Sequence, residues 1–218
     1  MQNISRKQKA HIIWYRLFTI VALVSLSVPI VFSQSALTPQ QVAQKAAGVI
    51  SNAKGLSASF TVKGNGRTAS GTIKCAGNKF SVKMPDASVW YNGKNLYTYN
   101  PRVNETTVTT PSAQELIDSN PLLYVKGGGS NYKYSFSSVK RNGKYVVDLT
   151  PISNKTGIKK LTFTINSSNY HIERIMATTS SGSVTVDISS LQVGTVPAAS
   201  EFEYPKSKYP KAEIIDLR

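Results

Sequence analysis

Acidic residues are scarce in this 218-residue chain: none precedes Asp86, and 11 Asp and Glu stand against 26 Lys and Arg. There is one cysteine, Cys75, so an internal disulfide is excluded, and an oxidising compartment is permitted without being exploited. Lying between Lys74 and Ala76 in a strand-like run, that thiol reads as a small buried hydrophobe. The two histidines, His11 and His171, are too few for a histidine metal cluster, and no Ser or Cys partner motif accompanies His171. His171 reads as an exposed imidazole at a strand end. The carboxylates Asp86, Glu105, Glu115 and Asp118 have no spacing that specifies an acid/base pair. "GNGRTA" (64–69) matches a loose dinucleotide fingerprint, but a strand follows it, so the phosphate-cradling helix N-terminus is missing and it reads as a hairpin loop. Sequons at Asn104, Asn154 and Asn166 carry little weight in so Ser/Thr-rich a chain. No enzyme, cofactor or metal is expected.

What is present begins with Arg6, Lys7, Lys9 and Arg16, followed by the apolar run "LFTIVALVSLSVPIVF" (17–32) and then small residues. A basic region, an apolar stretch broken by Ser25, Ser27 and Pro29, and small side chains near Ser33 to Ala36 describe a cleaved secretory signal over 1–33. Residues 34–218 then form one domain. No cysteine stands at the cleavage point, so no lipid anchor is expected and the product should be soluble. Removing the leader leaves 22 basic against 11 acidic residues, a net +11. The lysines are spread from Lys45 to Lys211 and an exported protein meets little nucleic acid, so the anionic partner expected is a lipid headgroup or membrane surface.

"LTPQQVAQKAAGVISNAKG" (37–55) predicts an amphipathic helix, with Thr38 as N-cap, Pro39 at its first position, Val42, Ala46, Val49 and Ile50 at helical spacing, and Gly55 past its end. From Leu56 the pattern switches to alternation. Phe60/Val62, Ile73/Cys75 and Phe80/Val82 mark three strands, and "SVWYNGKNLYTY" a hairpin turning at Asn92-Gly93. "TTPSAQELIDSNPLLYVKGGG" (109–129) predicts a second helical segment with Leu116, Ile117, Leu122 and Leu123 on its apolar side, interrupted by Pro121 and ended by Gly127, Gly128 and Gly129. Strands resume around a second Asn-Gly hairpin at 142–143, with Val147/Leu149, Leu161/Phe163/Ile165 and Val184/Val186/Ile188 facing one way. About ten strands and two helices of about 16 residues give an α+β protein built on one large antiparallel sheet. A sheet so long with one apolar face must curl, and two helices cover it scantily, so a partly open barrel with an apolar hollow is expected.

The layout resembles the periplasmic outer-membrane lipoprotein carriers, the LolA family, over almost the whole expected mature chain. The likeness rests on "SASFTVKG" after a first helix, "KFSVKMP", the block "NGKNLYTYNP" (92–101), "TPSAQELIDSNPLLYV", "DLTPISNKTGIKKLTFTINSSNYHIERIMATTSSGSVTVDI" and the closing "FEYPKSKYPKAEIID". It implies an incomplete antiparallel β-barrel whose concave apolar face is lidded by helices. It also implies a monomeric carrier that ferries lipoprotein acyl chains between membranes without a cofactor, with an inner-membrane donor complex and an outer-membrane acceptor as partners. The missing lipid-attachment cysteine favours the free carrier over LolB, its anchored relative. On this resemblance the aromatic block, Trp90, Tyr97 and Tyr99, lines the cavity together with Phe60, Val62, Ile73, Phe80, Val82, Leu116, Leu122, Leu123, Val147, Leu149, Leu161, Phe163, Ile165, Val184 and Val186, and the triple glycine is a hinge for the lid. The family's arginine before the "KF" strand is replaced by Ala76 and Gly77, so its closing contact does not carry over, and a lysine such as Lys79 is the candidate substitute. Two other readings stay open: a non-transporting envelope module that senses lipid and binds a signalling partner, and an envelope hydrolase dependent on His171.

Overall fold

The computed structural model describes residues 36–120, 122, 131–153 and 157–218, and Leu37–Arg218 forms one compact unit. The expected leader 1–33, Leu123 and the glycines Gly127, Gly128 and Gly129 lie outside the described residues. Helix α1 (Pro39–Ser51) begins with a capping box: Thr38 Oγ1 accepts from the Gln41 amide at 3.2 Å, and the Gln41 side chain accepts from the Thr38 amide at 2.9 Å. It ends at Asn52, whose amide donates to the Gly48 carbonyl, three residues short of Gly55. Val42, Ala43, Ala46 and Ile50 form its buried stripe.

Six strands follow: β1 (Leu56–Gly64), β2 (Arg67–Ala76), β3 (Lys79–Met84), β4 (Ala87–Tyr91), β5 (Leu96–Asn100) and β6 (Glu105–Thr109). After helix α2 (Ala113–Ser119) come β7 (Tyr132–Phe136), β8 (Lys144–Pro151), β9 (Ile158–Asn166), β10 (Ile172–Thr179) and β11 (Gly182–Val193), and the chain closes with β12 (Glu213–Asp216). All twelve belong to one sheet, in the order β12-β6-β5-β4-β3-β2-β1-β11-β10-β9-β8-β7. Every neighbouring pair is antiparallel except β12 on β6. The sheet is curved and open, with β7 and β12 at its ends, the incomplete barrel expected from the strand count.

Turn chemistry explains the hairpins, though not always at the expected place. Asn65 and Gly66 both take positive φ, 51° and 71°, and join β1 to β2 in two residues. At 92–95 only Gly93 does so, and the loop is four residues long because Asn92 Oδ1 accepts from the Lys94 and Asn95 amides at 3.1 and 2.9 Å. The helices are shorter than expected, 13 and 7 residues. Helix α2 is held at its start by Glu115, whose carboxylate accepts from the Ser112 amide and hydroxyl at 2.7 and 2.8 Å; the backbone bond from Ser112 leads in drawing its pKa below the ordinary value.

Alternation along the strands divides the molecule into two sides. The concave side carries Leu56, Phe60, Ile73, Phe80, Val82, Tyr91, Leu96, Val147, Leu149, Leu161, Phe163, Ile165, Ile172, Ile175 and Val186, all buried in one cluster with the stripe of α1 and Leu122. The opposite side carries Lys74, Ser81, Trp90, Tyr97, Val108, Asp148, Arg174 and Asp187, their register neighbours one residue out of phase.

Candidate functional site

Among the described residues, two cavities lie on the concave side, on either side of α2 and Leu122. One, of about 310 Å³, is lined by Phe60, Val62, Val82, Met84, Ile158, Ile175, Ala177, Val184 and Val186, with Ser119 from the end of α2 at its edge. Its sheet wall is apolar because its positions on β3, β1, β11 and β10 share one parity: Val62 pairs with Val186, which pairs with Ile175. The other, of about 480 Å³, runs between the end of α1 and the β2–β3 turn, with Leu56, Phe80, Tyr91, Leu116 and Leu122 among its apolar lining and Asn78, Lys79 and Asn120 as its polar groups.

The described part of the cover is anchored at Asn120 and Leu122. Leu122 is 2% exposed and Asn120 is 3% exposed, while Leu116 is only partly buried. Asn120 anchors the turn: its Oδ1 accepts from the Leu122 amide at 3.0 Å, and its Nδ2 lies 3.8 Å from Cys75 Sγ. Cys75, expected as a small buried hydrophobe, is half-buried and contacts this cover.

Phe60, Val62, Val82, Val184 and Val186 line the smaller cavity, and Phe80, Leu116 and Leu122 the larger. Val184 is at the rim, 37% exposed. Ile73, Val147, Leu149, Leu161, Phe163 and Ile165 are packed in the surrounding core, each no more than 1% exposed. Ile175, Ala177 and Met84 also form the wall; the sequence pattern did not single them out, although each shares a face with a residue that it did.

The aromatic block is elsewhere. Trp90, Tyr97 and Tyr99 do not face the hollow: they lie on the convex side, under a strap formed by residues 199–212. Trp90, 2% exposed, meets Tyr204 edge-on at 5.5 Å and Tyr209 at 6.0 Å, Tyr97 stacks on Tyr204 at 5.6 Å, and Tyr99 contacts Tyr209 at 4.1 Å. Phe202, 1% exposed, is buried where two short 3-10 turns, Ala199–Phe202 and Lys206–Lys208, bring the strap across β3 and β4. The physical reason is parity. Tyr91 pairs with the inward Phe80, the two rings lying 5.5 Å apart, so Trp90 and its partner Tyr97 must point the other way. Thr106 Oγ1 donates to Tyr204 Oη at 2.9 Å, and Glu201 receives Lys74 at 2.7 Å and Lys83 at 3.3 Å. The Lys74 bond first, then Lys83, keeps the Glu201 carboxyl below its ordinary value.

The described residues contain no helix long and apolar enough to cross a membrane, which says nothing of strands, and no cluster suited to a metal. An apolar hollow under such a cover can bind, and none of the described residues lining it forms an acid/base or nucleophilic arrangement.

A family model described as outer membrane lipoprotein carrier protein LolA matches residues 29–180. The chain belongs to the LolA family. Its members are binding or carrier proteins, not enzymes. The match ends before β11 and the strap. No curated protein matches the sequence. Among solved structures, an uncharacterised conserved protein from Thermus thermophilus superposes with a TM-score of 0.57 at 9% identity, over 81% of this chain and 98% of that one. A LolA superfamily protein from Nitrosomonas europaea gives 0.41 at 14% identity, over 78% and 99%. The lipoprotein LppX of Mycobacterium tuberculosis gives 0.43 at 12%, over 72% and 96%.

Proposed function

We propose that this protein is a periplasmic carrier that takes the acyl chains of lipoproteins into its concave hollow and ferries them from the inner to the outer membrane, after export and removal of residues 1–33. The observation that supports this most is the continuous apolar wall from Val82 through Phe60 and Val186 to Ile175, closed by a cover of one short helix and Leu122. Each buried methylene of an acyl chain is worth about 0.8 kcal/mol, so a full chain is worth on the order of 10 kcal/mol. That is the scale needed to keep a lipid chain out of water during transit.

The hollow of about 310 Å³ is at the small end of ligand cavities, which span roughly 300–1,000 Å³. A chain therefore enters by displacing the cover, with Leu116 and Leu122 giving way to lipid. Release needs the reverse, and the polar groups near the larger cavity, Lys79 and Asn120 among them, give the cover a reason to return. Lys79 opens β3 just after Ala76 and Gly77, which stand where the family has its arginine, and lines the larger cavity.

The test is binding of a fluorescent acyl probe, together with mass spectrometry of lipids and lipoproteins that copurify from the native envelope. Ala177 is a small residue on the wall, so Ala177→Phe fills the hollow without introducing charge. Probe affinity should fall at least tenfold with the circular dichroism spectrum unchanged. Binding as strong as the parent's, or a copurified ligand without an acyl chain, would overturn the carrier reading. Intact mass of the exported protein checks the processing site between about residues 33 and 36.

A further inference from the structure

Where β10 and β11 meet, the sheet comes apart. Their ladder runs from Thr179–Gly182 to Arg174–Asp187 and stops, although β10 reaches back to Ile172 and β11 continues to Val193. Beyond Asp187, β11 follows β1 through a register shift opposite Ser57 and Ser59. Ser190 takes a φ of 53° there, in a region serine adopts at a cost. The parting strands leave a cleft of about 660 Å³, larger than the cavity under the helices.

The cleft has two chemistries. Its floor is Ile172, Ile188 and Leu191, the first buried in the core and the others packed against it. Its walls carry Arg141, Lys144, Arg174 and His171, with the carboxylates Glu173 and Asp187. Glu173 is held by Lys144 and, at 3.0 Å, by Asn166 Nδ2. Asp187 is held by Arg174 and, at 3.1 Å, by Lys63. Both carboxyls are kept below their ordinary values and stay ionised. Along the lining, three permanent cations, Arg141, Lys144 and Arg174, thus stand against two carboxylates, a local surplus of one positive charge. Arg141, exposed on the β7–β8 connection, has no ion pair among the described residues.

We infer that this cleft is a second binding site, for a ligand carrying a phosphate or carboxylate next to an apolar portion. The anionic group meets Arg141 and Arg174, whose planar guanidinium forks suit paired acceptor oxygens. The apolar portion rests on Ile172, Ile188 and Leu191, and the unpaired edges of β10 and β11 are open to its polar atoms. A lipid headgroup and a free organic phosphate share this chemistry. The site is separate from the hollow and does not depend on an acyl chain occupying it.

The test is amide chemical-shift mapping on the exported protein with two probes, glycerol 3-phosphate and dihexanoyl phosphatidylglycerol below its micelle concentration. Saturable shifts centred on Ile172–Arg174 and Ile188–Leu191 are expected, persisting in Ala177→Phe. R141Q should weaken binding at least fivefold and R174Q more. Comparable shifts with both probes identify the phosphate as sufficient, and shifts with the lipid alone identify a headgroup that needs its apolar neighbour; either supports the site. Shifts confined to the hollow, none with either probe, or parent-like affinity in R141Q would overturn it.

Discussion

Gly71 shows how closely a single residue controls the hollow. It sits directly opposite Phe60 in the β1–β2 ladder, and a Cβ there would come within 2.6 Å of the Lys83 carbonyl oxygen and 2.8 Å of both Met84 Cγ and Phe60 Cζ. The aromatic ring lies where a side chain at 71 would be, so glycine lets Phe60 lie against the sheet and form wall instead of filling the cavity. Gly71→Ala should destabilise the fold by about 1–3 kcal/mol through overpacking, read as a lower urea midpoint. Because the ring must swing inward, acyl-probe affinity should also fall. A variant as stable as the parent with unchanged binding would show that Phe60 has room to move aside.

At the scale of an element, the strap over the convex face is the least expected feature. Residues 199–212 bury Trp90 and Phe202, and β12 then adds a parallel edge strand, Glu213–Asp216, along Glu105–Val108. Glu201 fastens its start to Lys74 and Lys83. Its carboxyl lies below the ordinary 4.5 in the attached strap, chiefly through the Lys74 bond, and returns to that value on release. A lowered carboxyl value stabilises the attached form fully above the ordinary value, and the contribution is lost as pH falls from there through the lowered value. Half-exposed pairs of this kind contribute up to about 1 kcal/mol each. In the exported protein, where removal of residues 1–33 leaves Trp90 as the one tryptophan, its emission should therefore shift toward the exposed form below about pH 4.5. Glu201→Gln should show the weaker attachment at neutral pH and lose that step; an identical acid transition in the variant would assign it to other carboxyls.

For the whole molecule, the question is whether the thin cover moves as cargo enters. Leu122 and Leu116 occupy the apolar surface that an acyl chain would take, so lipid and leucine compete for it. With Cys75→Ser, a spin label on the exposed Ala113 should become more mobile on addition of a bound acyl probe. Leu122→Ala should quicken probe entry and lower stability by about 2–5 kcal/mol. A label spectrum unchanged at probe saturation, with entry rates equal to the parent's, would mean that the chain enters by another route.

The strands, the capped first helix and the sets of residues sharing a face are legible in the chain, because these depend on local spacing: period two along Phe60/Val62 and Val184/Val186, and Thr38-Pro39 ahead of an apolar stripe. It also carried the large open sheet, since that many one-sided strands can bury their apolar face only by curling. Which parity of the aromatic block faces inward is settled by long-range packing. "SVWY" is apolar on both faces, so alternation there leaves two answers. The choice was made by the pairing of Tyr91 with Phe80 and by Phe202, Tyr204 and Tyr209, more than 100 residues downstream, which give Trp90 and Tyr97 a second apolar shelter on the convex side. The parting of β10 from β11 was invisible for the same reason: both strands alternate normally, and it is the register each makes with its other neighbour that pulls them apart.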